Sequence, residues 1–256
     1  MDRPLILITT WRRRLPTFLG EQTTLDTLDP AYADRIADAG GRPLLLSRSV
    51  VSGPAEVKTI LAAADGLVIT GGGDVDPASY GGEREDVAGD DAVADAFELS
   101  LLHAARSARL PTLAICRGAQ LLAVATGGGL GQRAPAGGVH ADLDGMSAEQ
   151  ILAARHPVSL ASDSRVGEAF AGRAELLVNT IHHHQIADAG ELRVTATAPD
   201  GVIEAVEARD GWACVGVQWH PEKMAEPEQL GLFEQLVADA RRRQSDRSAR
   251  SEARAA

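Results

Sequence analysis

The chain has 256 residues, 45% hydrophobic and 24% charged, with 25 Lys and Arg against 36 Asp and Glu. That length suits one α/β domain with a sizeable core, and the net charge of −11 excludes a general nucleic-acid binder, which needs a basic surface to displace counterions from phosphate. Two Cys so far apart, 116 and 214, do not suggest a disulfide framework. No stretch approaches the roughly 20 apolar residues of a membrane span, and the short apolar segment after Met1-Asp2-Arg3-Pro4 is unlike a secretory leader, so a cytoplasmic chain with no membrane partner is expected.

In chain order, short apolar runs alternate with longer amphipathic ones. Residues 5–9 read as a strand buried on both faces, 30–39 as a helix ending at Gly40-Gly41, and 43–46 as a second strand. A helix over 54–64 has Pro54 in its first turn, and 66–70 form a third strand running into Gly71-Gly72-Gly73. Residues 91–108 repeat Ala94, Phe97, Leu101 and Leu102 at helical spacing. A strand over 111–115 then leads through Cys116 into a helix over 118–125. This βαβα alternation predicts a three-layer α/β fold with a mostly parallel central sheet flanked by helices. The second half, with strands over 157–160, 176–178, 192–198, 202–206 and 213–217, predicts an antiparallel extension, closed by a helix over 226–243. One domain over 1–240 is expected, followed by an Arg-rich tail over 241–256 whose apolar content is too low for anything but disorder.

Three segments carry chemistry. In Ile115-Cys116-Arg117-Gly118-Ala119-Gln120 a buried strand delivers a Cys onto a tight turn that opens a helix. Such a turn projects the sulfur from the carboxyl end of the sheet, the helix N-terminus favours thiolate, and the Arg117 N–H lies beside the sulfur as an oxyanion donor. A buried, inert Cys at a strand end is the plain alternative. In Gly216-Val217-Gln218-Trp219-His220-Pro221-Glu222 a strand end presents His and, two residues on, Glu, so that Glu222 can orient an imidazole that faces a thiol. In Thr70-Gly71-Gly72-Gly73-Asp74-Val75-Asp76-Pro77 three glycines follow a buried strand. A phosphate loop is disfavoured there by Asp74 and Asp76, and a second oxyanion donor at Gly72 or Gly73 is the better reading.

Together these segments resemble the class I glutamine amidotransferase superfamily, in its peptidase C26-like branch that includes γ-glutamyl-γ-aminobutyrate hydrolase. That branch has, in order, a TGGxDVxP-type loop, an ICRGxQ elbow, a VNSxHHQ-type segment and a GVQWHPE ending; here they stand at 70–77, 115–120, 178–185 and 216–222. The resemblance implies a flavodoxin-like fold of the amidotransferase type, Cys116 as nucleophile, His220 as general base and Glu222 as its orienting partner. It places Arg117 and Gly72 or Gly73 at the oxyanion hole, Gln120 at the glutamyl head group, and Asn179, Thr180, His182 and His183 along the glutamyl pocket. Three departures stand out. Ala114 precedes Ile115 where a Gly is usual, Ala123 stands near a customary Asn, and in Val178-Asn179-Thr180-Ile181-His182-His183-His184-Gln185 either His184 replaces the Gln or one residue is inserted.

The resemblance implies cleavage of a γ-glutamyl amide through a γ-glutamyl thioester, with a small-molecule substrate, no cofactor and no nucleic acid; a homodimer is allowed for. A glutaminase subunit serving a separate synthase, and a non-enzymatic reactive-Cys protein, are the competing readings. No metal site is expected, because consecutive His residues do not converge on one ion as i, i+4 helical His do. Cys214 reads as core.

Overall fold

In a computed structural model, residues 3–50, 53–133, 138–140 and 145–255 are described. The strands are β1 (Leu5–Thr9), β2 (Trp11–Thr17), β3 (Gly20–Thr27), β4 (Arg42–Leu46), β5 (Gly66–Ile69), β6 (Thr112–Ile115), β7 (Gly129–Gly131), β8 (Arg155–Leu160), β9 (Glu175–Asn179), β10 (Gln185–Asp188), β11 (Arg193–Thr197), β12 (Ile203–Glu207) and β13 (Cys214–Val217). The helices are α1 (Pro30–Asp38), α2 (Pro54–Ala63), α3 (Ala92–Ser107), α4 (Arg117–Ala125), α5 (Ala148–Ala153), α6 (Arg165–Ala169) and α7 (Leu230–Ala255).

The main sheet runs β4-β1-β5-β6-β13-β12-β11-β8-β9, with β10 on β12 and β7 on β10. Its first five strands are mutually parallel, and every pairing from β13 onward is antiparallel. Side chains that alternate along each parallel strand feed two cores. Ile6, Ile8, Val68, Leu113 and Ile115 pack with Tyr32 and Ile36 of α1 and Phe233, Leu236 and Val237 of α7. Leu7, Leu67, Ile69 and Ala114 pack with Leu61 of α2, Leu101 and Leu102 of α3, and Leu122 of α4. Strands buried on both faces show no polar alternation, which is why these runs read as continuous apolar sequence.

The parallel strands and α1 to α4 lie within two residues of their expected bounds. β7, β10, α5 and α6 stand where the sequence named no element, and two longer parts differ as well. Residues 11–27, for which no strand was expected, form the separate hairpin β2–β3, whose many charged and exposed positions carry no apolar period. The tail is the other: α7 continues through Ala255 rather than ending in disorder. Arg247 holds it to the body by donating to the carbonyls of Ala62 and Ala64 at the end of α2 and pairing with Asp65 at 2.7 Å. A cation at a helix C-terminus satisfies its last carbonyls, an interaction that residue composition does not reveal. Within the polar stretch 127–149, residues 134–137 and 141–144 lie outside the described residues, as does Ala256.

Helix α4 lies so close to the sheet that a Cβ on Gly118 would sit 2.3 Å from the Ile69 carbonyl oxygen. Backbone cannot yield as a flexible side chain does. Gly118→Ala should therefore lose about 1–3 kcal/mol of stability, read from the shift in urea midpoint.

Candidate active site

Strands β6 and β13 are parallel neighbours in the register Ile115↔Val217, so the elbow and the His-bearing segment, a hundred residues apart in sequence, leave the sheet side by side. The Cys116 N–H donates to the Val217 carbonyl at 2.8 Å. Cys116 then turns with φ 53° and ψ −110°, a conformation an L-residue rarely adopts, and α4 begins at the next residue. Strain of this kind amounts to about 1–3 kcal/mol and persists only when the surroundings enforce it.

Those surroundings include a buried ion cluster. The Arg117 guanidinium donates to Asp95 Oδ1 at 2.5 Å and to Glu98, both on α3. Asp95 in turn accepts from the Asp76 N–H at 2.7 Å, so one carboxylate ties the helix, the glycine-rich segment and the elbow together. Burial raises the Asp95 pKa even though Arg117 opposes the shift. The sequence signal for this cluster was two acids three residues apart on a helix face that also carries Leu101 and Leu102.

His220 follows β13 and is held by backbone and side chain alike. Trp219, fully buried, packs against Phe170 and donates to Gln229 Oε1 at 3.1 Å. Asn179 clamps the His220 backbone, accepting from its N–H and donating to its carbonyl, both at 2.8 Å. The imidazole Nδ1–H donates to Glu222 Oε1 at 2.6 Å. Burial works against the charged ring, but Glu222 and the Cys116 thiol outweigh it and raise the His220 pKa well above its ordinary value.

The glycine-rich segment completes the arrangement. The Gly71 N–H donates to the Tyr32 hydroxyl at 3.1 Å, and a Cβ at Gly71 would fall 2.7 Å from His220 Cε1 and 3.5 Å from Cys116 Cβ. Only a residue without a side chain lets the loop lie against both. Burial, then the neighbouring Glu222, raises the Tyr32 pKa, so its hydroxyl stays neutral. The N–H groups of Gly72 and Gly73 make no hydrogen bond among the described residues, and that of Arg117, first in its helix, has no intrahelical acceptor.

Cys116, His220, Glu222, Arg117, Gly72 and Gly73 are thus brought together. A cleft of about 450 Å³ opens beside Gly72, Gly73 and Arg117, and its opposite wall is Trp11 to Leu15 of the hairpin. The expected glutamyl-pocket residues fare differently. Gln120 is buried and donates to the His184 carbonyl at 3.2 Å and to Gln218, whose own amide lies 3.7 Å from the Cys116 sulfur. Thr180 is buried, and its N–H reaches the Ala154 carbonyl at 3.4 Å. The Asn179 amide is committed to the His220 backbone rather than turned toward a ligand. His182 points away into a separate buried cluster, and only His183, paired with Asp74 at 3.1 Å, is substantially exposed. Cys214 is fully buried, and burial pushes its pKa well up, as befits a core thiol.

A sequence profile of the peptidase C26 family matches residues 4–222. This chain belongs to the peptidase C26 family. It is similar to the γ-glutamyl-γ-aminobutyrate hydrolase of Escherichia coli K12, 33% identical over 227 residues that cover 87% of each chain. It is also similar to a Mycobacterium tuberculosis protein provisionally named a glutamine amidotransferase, 37% identical over 241 residues, covering 92% of this chain and 74% of the other. Among solved structures, the glutaminase domain of Trypanosoma brucei CTPS with bound acivicin superposes with a TM-score of 0.61 at 13% identity, covering 93% of this chain and 94% of that one. The family and these relatives identify the chain as an amide-bond hydrolase of the class I glutamine amidotransferase type.

Two outcomes follow from the geometry. Glu222→Gln should lower the pKa of His220, followed by NMR of its imidazole, and move the alkaline limb of kcat/KM to lower pH. The sign is set by the upward shift: the stability this pairing contributes is complete below the ordinary imidazole value of about 6.5 and fades as pH rises through the raised one. Arg117→Met keeps the N–H but strands two buried carboxylates, and should lose about 3–5 kcal/mol in chemical denaturation.

Proposed function

We propose that this enzyme hydrolyses γ-glutamyl amides through a γ-glutamyl thioester on Cys116, and that the amine side of its substrate carries a carboxylate, as γ-aminobutyrate does. The observation that carries the reading is the meeting of Cys116, on its strained turn, with an imidazole already oriented by Glu222. The Cys116 sulfur attacks the γ-carbonyl, and the N–H groups of Arg117 and Gly72 or Gly73 receive the developing oxyanion. His220 gives its proton to the departing amine, then takes one from the water that cleaves the thioester. Losing one oxyanion donor typically lowers kcat by about 10²–10³.

The amine-side preference rests on the cleft wall. Arg12, Arg13 and Arg14 line it on the strand facing Gly72 and Arg117. Arg12 is paired with Asp26, and Arg13 lies 4.6 Å over the Trp11 ring, so Arg13 and Arg14 supply the positive charge of the wall. The cleft's acids, Asp91 and Glu98, are engaged by Arg48 and Arg117. Such a wall favours a leaving amine with a carboxylate over a free polyamine cation. The E. coli relative's name supports the same substrate class. The enzyme then belongs after a reaction that γ-glutamylates an amine, in a reducing compartment such as the cytoplasm that keeps the thiol free.

Glutamate release should be measured for γ-glutamyl-γ-aminobutyrate, γ-glutamyl-putrescine and glutamine side by side. The carboxylate-bearing substrate should have the highest kcat/KM, and Cys116→Ala should abolish turnover with the fold intact by circular dichroism. Arg14→Ala should raise KM for γ-glutamyl-γ-aminobutyrate and leave kcat near wild type. A preference for γ-glutamyl-putrescine would overturn the amine-side assignment, and near-normal turnover in Cys116→Ala would overturn the mechanism.

A further inference from the structure

Away from the cleft, three histidines and a glutamate from distant parts of the chain converge. They are His140, His156 of β8, His182 just beyond β9, and Glu204 of β12. One donor atom from each lies within 4.8 Å of the other three. Glu204 Oε1 is 2.9 Å from His140 Nε2, 3.4 Å from His156 Nε2 and 3.6 Å from His182 Nε2. A tetrahedral ion with bonds of about 2.0–2.2 Å sets its ligand atoms roughly 3.3–3.6 Å apart. The His156 and His182 distances to Glu204 have that spacing, and His140 lies closer, within hydrogen-bond distance.

The orientation of the rings adds to the spacing. His182 Nδ1 lies 3.1 Å from the His184 carbonyl, which only accepts, so Nδ1 carries a proton and Nε2 faces the Glu204 carboxylate. His182 Nε2, both ring nitrogens of His156 and Glu204 Oε2 have no hydrogen-bond partner among the described residues. All belong to residues at least nine-tenths buried. Buried polar atoms without partners carry a desolvation penalty that a shared cation removes. The outer atoms are arranged as metal sites arrange them: Asp200 Oδ2 sits 2.8 Å from His140 Nδ1, and the His184 carbonyl holds His182, each leaving Nε2 turned inward.

We propose that His140, His156, His182 and Glu204 form a structural site for one divalent transition-metal ion of the zinc class. Three imidazoles and one carboxylate are a borderline nitrogen–oxygen set, suited to zinc rather than to calcium or magnesium. A closed four-ligand shell leaves no open position for substrate, and none of the four residues lines the cleft beside Arg117. The ion's work is bracing. It joins β8, β12 and the segment 138–140 to the chain just after Asn179, which clamps the backbone of His220. The run divides: His182 turns into this cluster, while the consecutive His183 and His184 converge with Asp74 in a second group whose donor atoms lie within 4.8 Å of one another. The cluster takes one residue from the run and two from far away. The site rests on these four side chains alone and not on the hydrolase reading.

The test uses the tag-free full chain in a Cys116→Ala background, which removes the active-site thiol as a competing ligand. Purified from zinc-supplemented medium and dialysed, it should carry about one zinc per chain by atomic emission. Cobalt replacement should give the visible absorption of a tetrahedral ion. Chelation should lower Tm and added zinc restore it. His156→Ala and Glu204→Gln should each abolish the stoichiometric metal and the zinc-dependent Tm shift, and Asp200→Asn should weaken binding about 10–100-fold, while Asp74→Asn leaves it unchanged. No bound metal together with no Tm response to zinc in the parent chain would overturn the site, whether or not the variants fold. So would metal that survives His156→Ala and Glu204→Gln but vanishes in Asp74→Asn.

Discussion

The site depends on one strained residue. Cys116 holds a positive φ that only glycine adopts freely, and it does so at the point where β6 passes into α4. Nothing local rewards that conformation, so the fold must enforce it from all sides. The β6–β13 ladder fixes the Cys116 N–H, the close approach of Gly118 to Ile69 fixes the start of the helix, and Asp95 and Glu98 fix the Arg117 side chain from α3. A sulfur delivered this way stands clear of the sheet at the end of a helix dipole, with unoccupied backbone donors beside it.

The buried Arg117 cluster has a consequence for the loop opposite. Because Asp95 also accepts from the Asp76 N–H, the position of the Gly71–Gly73 segment relative to the elbow is set by an ionic contact in the protein interior. Low polarity there makes the contact strong and its disruption severe. The same logic governs His220. Its backbone is held by Asn179 and its ring by Glu222, so the imidazole has no need to search for the thiol. Preorganisation of this kind moves the cost of ordering from the catalytic step into folding.

Much of the fold was legible in the sequence, and the reason differs from element to element. Residues 5–9, 66–69 and 112–115 are buried on both faces, so their apolar runs are unambiguous. The hairpin Trp11–Thr27 was not legible, since it packs no regular apolar face, and its part in the cleft comes from where it folds over. The helix over 226–243 was expected, but its continuation to Ala255 was read as disorder, because that part is held by Arg contacts to another helix's carbonyls rather than by an apolar stripe. Asn179 was placed at the glutamyl pocket, but hydrogen bonding turned it to the backbone of His220.

The sequence by itself determined the chemistry: a thiol on a strand–turn–helix elbow, a His–Glu pair at a strand end, and a run of glycines after a buried strand. Each is a local pattern with a bland alternative of its own, and their occurrence together in this order is what singles out the chemistry. Tertiary structure alone decided which side chains meet. The parallel register of β6 and β13 brought Cys116 beside His220, and packing of α3 on α4 turned Asp95 and Glu98 into partners for Arg117. Folding of β8, β9 and β12 gathered His156, His182 and Glu204 around one point. Such meetings depend on long-range pairing, because two residues a hundred positions apart carry no mark of each other until the sheet that joins them has formed.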